Sequence, residues 1–427
     1  MLAGDSAGYG HDLSLAMGLS GRPDAVVLPG DPEEVAAVVA WCYRHDVAIV
    51  PRGGGTGVAG GATPVAGGLV LSLERLTRVR AFDPLLWRIS VDAGVRTRTV
   101  QRLARENGLT FPVDPGAAEE SHIGGNVATN AAGPHCFKYG VMRAWVTGLE
   151  VVLAPGELAT IGGPVRKDVA GYDLVGLLCG SEGTLGVVTG VWLRLMPAPP
   201  VALPVCAFCP SARAGQEALE RVLASGVVPA ALEFLDRRTL QAAVGSFPGE
   251  VPADPGFLLI AEVDGSEHER EELLEALGPA GFSPDAAALW RWREGVALTV
   301  IAQSGGVVTD DIAVPVDRLA DAVEEIEAIG RRHGLQACSF GHAGDGNVHA
   351  QLLVGDAGER RRAEAALDEV FGLAVRLGGT ISAEHGIGYL KGGQLGRQWS
   401  PAAVAAHRAI KAALDPKGLL NPGKKRA

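Results

Sequence analysis

Hydrophobic and polar positions follow two different rhythms along the chain, and the change between them falls near residue 200. Between residues 24 and 197, short apolar runs typical of strands alternate with helical patterns, as in α/β and α+β domains. In the clearest case, Asp31 and Pro32 supply an N-cap and a first-turn proline, and the helix that follows leads into the apolar strand VAIV. Beyond residue 204, longer helical patterns separate strands such as GFLLIAEVDG, which predicts helices packed on an antiparallel sheet.

The length of the chain supports the same division. Its 427 residues exceed what one ordinary core holds, since compact domains usually contain about 100–200 residues. The proline-rich stretch from Pro197 to Pro204 is a natural linker between the two parts. We therefore expect an α+β protein of two domains, or three at most.

Composition narrows the classes of function. Lys+Arg 38 and Asp+Glu 49 give a net charge of −11, and such a surface repels phosphate backbones, so nucleic-acid binding is not expected.

The uncharged runs at residues 53–73 and 195–212 are crowded with glycine or proline, so neither predicts a membrane span. The first residues lack the basic and apolar regions of a signal peptide, which favours a cytoplasmic location. The pair Cys206-x-x-Cys209 lies in a predicted strand, which argues against a metal or redox role.

A glycine-rich loop directly after the strand VAIV is the first chemical signal. It runs from Pro51 to Gly61, with the sequence PRGGGTGVAGG, and its first seven residues are Pro51, Arg52, Gly53, Gly54, Gly55, Thr56 and Gly57. Such a run exposes successive backbone N–H groups that suit phosphate oxygens. Residues 55–60 also match G-x-G-x-x-G, but the next residues, GATPVAGG, leave no room for the helix of a Rossmann site. A diphosphate loop of another design is favoured, and a merely flexible turn is the alternative.

Two further small-residue segments follow. The second runs from Asp114 to Gly133 and offers backbone amides, two asparagine side chains and a hydroxyl, which suit a flat polar ring or a ribityl chain. The third, Gly180–Thr189, leads from a turn into a strand with the same hydrogen-bonding character. Three such segments within 140 residues argue against coincidence.

The second part of the chain contains a histidine motif. His342 and His349 flank the turn GDGN, and if Ala343 pairs with Val348 the two imidazoles are opposite, with Cβ atoms roughly 5 Å apart. A carboxylate and an imidazole are adjacent again in the segment SAEHGIG. These groups predict a divalent metal, and zinc, manganese and iron all accept such ligands. Histidines with a structural hydrogen-bonding role are the alternative.

The glycine segments resemble the flavin-binding domain of the vanillyl-alcohol oxidase and p-cresol methylhydroxylase (PCMH) superfamily. The resemblance implies that the first loop wraps the FAD diphosphate and that the other segments line the adenosine and isoalloxazine. Some relatives attach the flavin through a histidine in the first loop, whereas Thr56 and no histidine stands here, which implies non-covalent FAD. The implied FAD-binding residues are Pro51, Arg52, Gly53, Gly54, Gly55, Thr56, Gly57, Pro115, Gly116, Ser121, Gly125, Asn126, Thr129, Asn130, Gly133, Glu182, Gly183, Gly186, Val188 and Asn421.

The motifs H-x-G-D-G-N-x-H and E-H-G-I-G resemble the cap domain of FAD-linked D-2-hydroxy-acid dehydrogenases, a group that includes D-lactate dehydrogenase and the D subunit of glycolate oxidase. The resemblance implies that His342, His349 and Glu384 bind the metal and that His385 is the general base. It also implies that Arg293 binds the substrate carboxylate, with a helix-surface arginine as the alternative. The implied domains are a PCMH-type FAD-binding domain (1–198), an α+β cap domain with an antiparallel sheet (199–405) and a C-terminal segment returning to the FAD domain (406–427).

The activity implied by this resemblance is oxidation of a small D-2-hydroxy acid to the 2-oxo acid, with the hydride passing to flavin N5. Thr309 stands near the place where D-2-hydroxyglutarate enzymes have a lysine, which favours a monocarboxylate such as glycolate or D-lactate. The alternatives are a D-2-hydroxyglutarate dehydrogenase and a non-catalytic FAD subunit of a larger oxidase. A zinc hydrolase, an ether-lipid synthase and a nicotinamide-linked dehydrogenase fit the motifs less well. The electron acceptor stays open, and a partner iron–sulfur or electron-transfer protein is one candidate.

Overall fold

The computed structural model describes residues 7–427, and these residues form two compact units. Unit 1 comprises the chain up to residue 133 together with residues 140–198 and 384–427. Unit 2 comprises residues 134–139 and 199–383. The chain therefore leaves unit 1 for a six-residue excursion, 134–139, before the main passage at residue 198. In this division the return to unit 1 begins at Glu384 rather than at residue 406.

Unit 1 contains a small parallel sheet and a larger antiparallel one. Parallel pairing gives the order β1-β3-β2, antiparallel pairing gives β4-β5-β9-β7-β8, and β6 pairs with β10. The strands are β1 (Ala25–Val27), β2 (Ile49–Arg52), β3 (Leu69–Ser72), β4 (Val79–Asp83), β5 (Arg88–Asp92), β6 (Leu109–Thr110), β7 (Val146–Leu153), β8 (Glu157–Gly162), β9 (Val187–Arg194) and β10 (Met196–Pro197). The helices are α1 (Pro32–Arg44), α2 (Thr97–Arg105), α3 (Ile123–Thr129), α5 (Leu174–Leu178) and α12 (Pro401–Leu414).

The first helix of unit 1 confirms the capping signal in the sequence. The side chain of Asp31 accepts a hydrogen bond from the backbone N–H of Glu34 at 2.8 Å, and Pro32 occupies the first turn. The helix delivers the chain to β2, which pairs in parallel with β3. Residues 53–68, all of which the structure describes, connect β2 to β3 without a helix, as the prediction against a Rossmann site requires.

The C-terminal segment completes the small sheet of unit 1. Leu420 forms a parallel bridge with Ile49 of β2, and Asn421 N–H donates to the Ile49 carbonyl at 2.7 Å. The carboxylate of Asp415 accepts hydrogen bonds from Leu420 N–H at 2.9 Å and from the Tyr43 hydroxyl of α1. Residues 420 and 421 are thus joined to the small parallel sheet formed by β1, β3 and β2.

Unit 2 is an antiparallel sheet in the order β14-β11-β13-β12-β16-β17-β15, which confirms the predicted helices on an antiparallel sheet. The strands are β11 (Leu203–Cys209), β12 (Ala231–Asp236), β13 (Phe257–Val263), β14 (Gly281–Phe282), β15 (Val307–Ala313), β16 (Gln336–His342) and β17 (Asn347–Leu353). The helices are α4 (Cys136–Tyr139), α6 (Ala212–Ala224), α7 (Arg237–Ala243), α8 (Glu267–Leu277), α9 (Ala286–Ser304), α10 (Leu319–Arg332) and α11 (Ala357–Arg376).

Helix α9 covers one face of this sheet. Its Leu289 and Val296 pack with Leu235 of β12 and Phe340 of β16 in a buried apolar cluster. Side chains alternate between the two faces of a strand, so the side chain of His342, two residues after Phe340, lies on the face of the sheet that α9 covers.

Among the described residues, no helix is both long enough and apolar enough to cross a bilayer.

Candidate functional site

The first two glycine segments of unit 1 meet through their backbones. A Cβ atom added to Gly53 would lie 3.3 Å from the Cα of Gly125, which is tighter than ordinary packing. A Cβ added to Gly54 would collide with the carbonyl oxygen of Glu120. Glycine is therefore required by this close approach of two chain segments.

The third segment is hydrogen-bonded to the second. Gly180 N–H donates to the Val127 carbonyl at 2.8 Å, and Glu182 N–H donates to the Ala128 carbonyl at 2.7 Å. The amide of Asn421 then donates to the carbonyls of Gly61 at 2.9 Å and of Glu182 at 2.8 Å. The structure thus brings all three glycine segments and the C-terminal asparagine together in unit 1.

Several side chains predicted to bind the cofactor hold these segments in shape. Asn126 donates to Thr97 at 2.6 Å, and the Thr97 hydroxyl also lies 2.7 Å from that of Ser121. The side chain of Asn130 accepts from Arg143 N–H at 2.9 Å. Their predicted contacts with a ligand stay predictions.

The side chains of Glu182 and Arg52 also form hydrogen bonds to other parts of unit 1. The buried carboxylate of Glu182 accepts from the backbone N–H groups of Ile387 and Gly388 at 2.9 and 2.6 Å. The guanidinium of Arg52 donates to the His11 carbonyl at 2.6 Å, and burial lowers its pKa. Both residues therefore fasten distant parts of unit 1 to the glycine segments.

A cavity of about 750 Å³ adjoins the first loop, a volume within the usual range for small-molecule sites. Arg52, Gly53 and Gly54 form part of its wall, and His122 of the second segment forms another part. Burial lowers the pKa of His122, which favours the neutral imidazole at pH 7.

The remaining predicted FAD residues lie within the same segments or at their ends. Thr129 closes α3, where its hydroxyl donates to the Gly125 carbonyl at 3.1 Å, and Val188 is a buried residue of β9. The others belong to the loops themselves: Gly55, Thr56, Gly57, Pro115, Gly116, Gly133, Gly183 and Gly186. No contact of these residues tests their assigned role.

In unit 2, the two motif histidines lie on the same face of the sheet but in a different register from the one predicted. His349 is opposite Phe340, not opposite His342, and His342 is opposite Glu233 of β12. The predicted pairing of Ala343 with Val348 is therefore wrong by two residues, because residues 343–345 form a tight 3₁₀ turn. A shift of two keeps both side chains on one face. Their ring centroids lie 5.5 Å apart with the planes at 85°.

Glu233 ties this face together. Its side chain is fully buried, accepts a short hydrogen bond from Nδ1 of His342 and lies 2.6 Å from the guanidinium of Arg293. Burial alone would raise its pKa, but the interactions with His342 and Arg293 hold the pKa of Glu233 below its usual range. Glu233 is not among the residues predicted from the sequence, although an acid inside the apolar run ALEFLD is a usable signal.

Arg293 lies inside unit 2. The residue is only 9% exposed, and its guanidinium sits 5.0 Å above the ring of Phe340. The helix-surface alternative is therefore wrong. Its neighbour Arg291, by contrast, is exposed and donates to a carbonyl of its own helix.

Asp311 is a second residue that the sequence analysis missed. It is fully buried on β15, directly opposite His349. Its carboxylate accepts from Ser382 Oγ at 3.2 Å and from Ala383 N–H at 2.7 Å. These bonds fix the chain at the residue before Glu384.

The two remaining predicted residues open the last segment of unit 1. Nε2 of His385 lies 3.6 Å from a carboxylate oxygen of Glu384, and both side chains are largely buried. Thr309 is half-buried on β15 opposite Gln351. Cys206 and Cys209 lie in β11 as predicted, and burial raises the pKa of both thiols, so neither is a thiolate at neutral pH.

Two family models match the chain. The model of the FAD linked oxidases, C-terminal domain, matches residues 198–425, and that of the FAD binding domain matches residues 23–162. Among similar proteins, glycolate oxidase subunit GlcD of Bacillus subtilis is 37% identical over 94% of this chain and 88% of its own length. D-2-hydroxyglutarate dehydrogenase of Xanthomonas citri pv. viticola is 37% identical over 94% and 89%. D-lactate dehydrogenase of Anaerostipes hadrus is 32% identical over 99% and 94%.

Solved structures with the same fold are more distant in sequence. The 4-ethylphenol oxidase of Gulosibacter chungangensis superposes with a TM-score of 0.78 at 20% identity, covering 99% of this chain and 93% of its own. A p-cresol methylhydroxylase superposes with a TM-score of 0.74 at 18% identity, covering 93% and 88%. These similarities confirm the predicted α+β fold with its PCMH-type domain.

Proposed function

Because the chain belongs to the family of FAD-linked oxidases, we propose that it oxidises a small D-2-hydroxy acid, of the glycolate or D-lactate type, to the 2-oxo acid. One observation carries the proposal. Three relatives that match at least 94% of this chain are all named for enzymes that act on 2-hydroxy acids. The resemblance of the histidine motifs points to the same substrates.

The residues of unit 1 fit FAD bound without a covalent link. A Cβ at position 54 would collide with the second segment and one at position 53 would crowd it, so glycine keeps this backbone open, and a run of open backbone amides suits a diphosphate. In this proposal Pro51–Gly57 hold the diphosphate, and the second and third segments with Asn421 hold the rest of the cofactor. When bound, FAD supplies the acceptor for the hydride that leaves C2 of the substrate.

The hydroxyl proton requires a base and the carboxylate requires an anchor. In this proposal an imidazole nitrogen of His385 takes the proton as the C2–H bond breaks. Arg293 binds the substrate carboxylate. A guanidinium carries five N–H donors, so Arg293 can hold Glu233 along one edge and a second carboxylate along the other.

A divalent metal, zinc above all, fits the histidines of unit 2. Because Nδ1 of His342 is bonded to the carboxylate of Glu233, the proton of a neutral imidazole is held there and Nε2 has the form that ligates metals. In this proposal His342, His349 and Glu384 are the ligands. A cation there would polarise the substrate hydroxyl and favour loss of its proton.

An anaerobic titration of the FAD-loaded protein with glycolate, which is achiral, and with D- and L-2-hydroxy acids tests the proposal. We expect glycolate or one D-acid to bleach the flavin absorption band at stoichiometric amounts, while L-2-hydroxy acids have no effect. A flavin band that no 2-hydroxy acid bleaches would contradict the proposed reaction and leave the cofactor assignment standing.

The base is tested by His385→Ala. We expect this variant to keep its FAD and to lose flavin reduction by the substrate by at least about 100-fold, the usual contribution of a general base. His333→Ala is the matched control, since His333 lies at the end of α10 and bonds to Glu369. Undiminished reduction in His385→Ala would remove this residue from the base role.

D-2-hydroxyglutarate is a second candidate substrate. The relative from Xanthomonas citri pv. viticola named for that substrate is as similar as the glycolate oxidase subunit, at 37% identity. Thr309 argues against it, because a second substrate carboxylate calls for a cation. Bleaching by D-2-hydroxyglutarate at lower concentrations than by glycolate or D-lactate would decide in its favour.

We further propose that a partner protein reoxidises the flavin. The relative from Bacillus subtilis is named as a subunit. The six cysteines of this chain are buried, and in this proposal the partner would supply any iron–sulfur centre. A partner that co-purifies with the protein and speeds its reoxidation would support this proposal.

A further inference from the structure

We propose that Phe137 is a positioning residue that sets the geometry of the turn between His342 and His349, and thereby the affinity of these histidines for a divalent cation. The inference rests on the metal site in the proposed function. It goes beyond that site because Phe137 belongs to neither histidine motif and lies more than 200 positions earlier in the sequence.

The segment 134–139 that carries Phe137 is part of unit 2, although the chain on both sides of it belongs to unit 1. Its helix α4 packs on β12 and on the 3₁₀ turn Ala343–Asp345. That turn connects the last residue of β16, His342, to β17. The segment therefore touches the short stretch of backbone that spaces the two histidines.

Polar contacts hold the segment on both sides of Phe137. His135 Nε2 lies 3.0 Å from the carboxylate of Glu262, and Lys138 and the Tyr139 hydroxyl both bind the carboxylate of Asp264. Both acids lie at the end of β13 and are 5% exposed. Buried charges with several partners resist displacement, so the position of Phe137 is fixed from either flank.

The ring of Phe137 presses on the turn at Gly344. A Cβ added to Gly344 would lie 2.6 Å from Cδ2 of Phe137, so the ring occupies the space that any larger residue would need. On another side, Val314 N–H donates to the carbonyl of Gly346 at 3.0 Å. A Cβ at Gly344 would also lie 3.2 Å from Cβ of Leu232, so the turn is confined by the backbone of one strand end, by Leu232 and most closely by the ring of Phe137. Loss of the ring would leave the turn free to relax.

Phe137→Ala tests this inference in the chelator-treated, FAD-loaded full-length protein, with zinc binding followed by calorimetry. We expect the zinc Kd to rise at least about tenfold, as when an outer support of a metal ligand is removed. Phe137→Leu should recover most of the affinity. If Phe137→Ala does not fold, the zinc Kd of Phe137→Leu is compared with that of wild type, and we expect it to be raised by a smaller factor.

Phe208→Ala is the matched control. Phe208 also belongs to unit 2, but it packs on Phe247 and Phe282 near the opposite edge of the sheet. Its loss should lower the melting temperature to a similar extent and leave zinc affinity unchanged. Equal losses of zinc affinity in both variants would overturn the inference, since general destabilisation would then explain the effect.

A double variant probes the contact itself. Gly344→Ala alone should weaken zinc binding because its methyl group collides with Phe137, and Gly344→Ala/Phe137→Ala should bind zinc better than additivity predicts. If neither Phe137→Ala nor Gly344→Ala changes the zinc Kd, the proposed role of Phe137 is overturned, while the metal site itself stands. A wild-type protein that binds no zinc overturns the metal site and this inference with it.

Discussion

Two buried carboxylates of unit 2, those of Glu233 and Asp311, each bind two groups. Glu233 holds both an imidazole and a guanidinium, and Asp311 holds a hydroxyl and a backbone N–H. A buried carboxylate is costly unless it is paired, so removing one partner strands the other charges. Such residues fix the direction of their neighbours more than they add to stability.

Arg293 offers a direct test of substrate binding at this scale. Arg293→Lys keeps the charge beside Glu233 but loses the planar fork that binds a carboxylate through two N–H groups. We expect KM for the 2-hydroxy acid to rise about tenfold or more with a smaller change in kcat, measured with a dye as electron acceptor. Arg291→Lys on the same helix should behave as wild type. An unchanged KM in Arg293→Lys would exclude this arginine as the carboxylate anchor.

Asp236 predicts a dependence of stability on pH. It is buried at the end of β12, where it accepts from Thr239 N–H at 2.8 Å and Ser339 N–H at 2.6 Å. Burial raises its pKa from 3.8 to about 6, so the folded state holds the proton more tightly than the unfolded state does. Its contribution is therefore full below pH 4 and is lost as the pH rises through 6.

Urea unfolding of wild type and Asp236→Asn between pH 4.5 and 7 measures the contribution of Asp236 to the free energy of unfolding. Relative to the variant, wild type should lose about 2 kcal/mol of stability between these two pH values. Parallel profiles for the two proteins would show that Asp236 titrates normally. The comparison between variants cancels the contributions of other groups.

At the scale of elements, the first glycine segment works through backbone proximity. Gly54→Ala should expel FAD, since its Cβ would collide with the Glu120 carbonyl oxygen and push the second segment away. Gly61→Ala is the matched control in the same stretch, because nothing lies within 4 Å of its added Cβ. The ratio of flavin to protein absorption after purification measures both. Full flavin content in Gly54→Ala would contradict the tight contact between these segments.

The same elements explain what the sequence could and could not predict. Helix α1 and the absence of a helix after Gly53 follow from signals within a few residues, namely a cap, a proline and a run of glycines. The histidine register was misjudged because the conformation of a four-residue turn decides it. The acid in the apolar run ALEFLD marks Glu233 as unusual, but the partners of Glu233 and Asp311 lie 109 and 71 residues away, so no local pattern reveals these pairings.

At the scale of the whole molecule, the described chain crosses between the two units after residues 133, 139, 198 and 383. Neither unit is a continuous piece of sequence. The excursion 134–139 supplies partners to the buried carboxylates of Glu262 and Asp264, so we expect unit 2 to depend on it for folding.

A fragment of residues 199–383 tests this dependence. The fragment lacks His135, a partner of Glu262, and both Lys138 and Tyr139, the partners of Asp264, while Trp290 still binds Glu262. We expect the fragment to melt without cooperativity and to be cut rapidly by trypsin, and we expect a peptide of residues 133–141 to restore resistance. A fragment that melts cooperatively alone would show that the excursion is dispensable for folding.

The hydrogen bond between Asn421 and the Gly61 carbonyl has a consequence for the order of events during synthesis. Its partners are 360 residues apart, and ribosomes add roughly 5–20 residues per second. For roughly 20–70 s, therefore, a nascent chain carries its first glycine segment without the asparagine that joins it to the third. In the site proposed for FAD, cofactor that arrives during this interval lacks Asn421, so we expect stable loading only after residue 421 has left the ribosome.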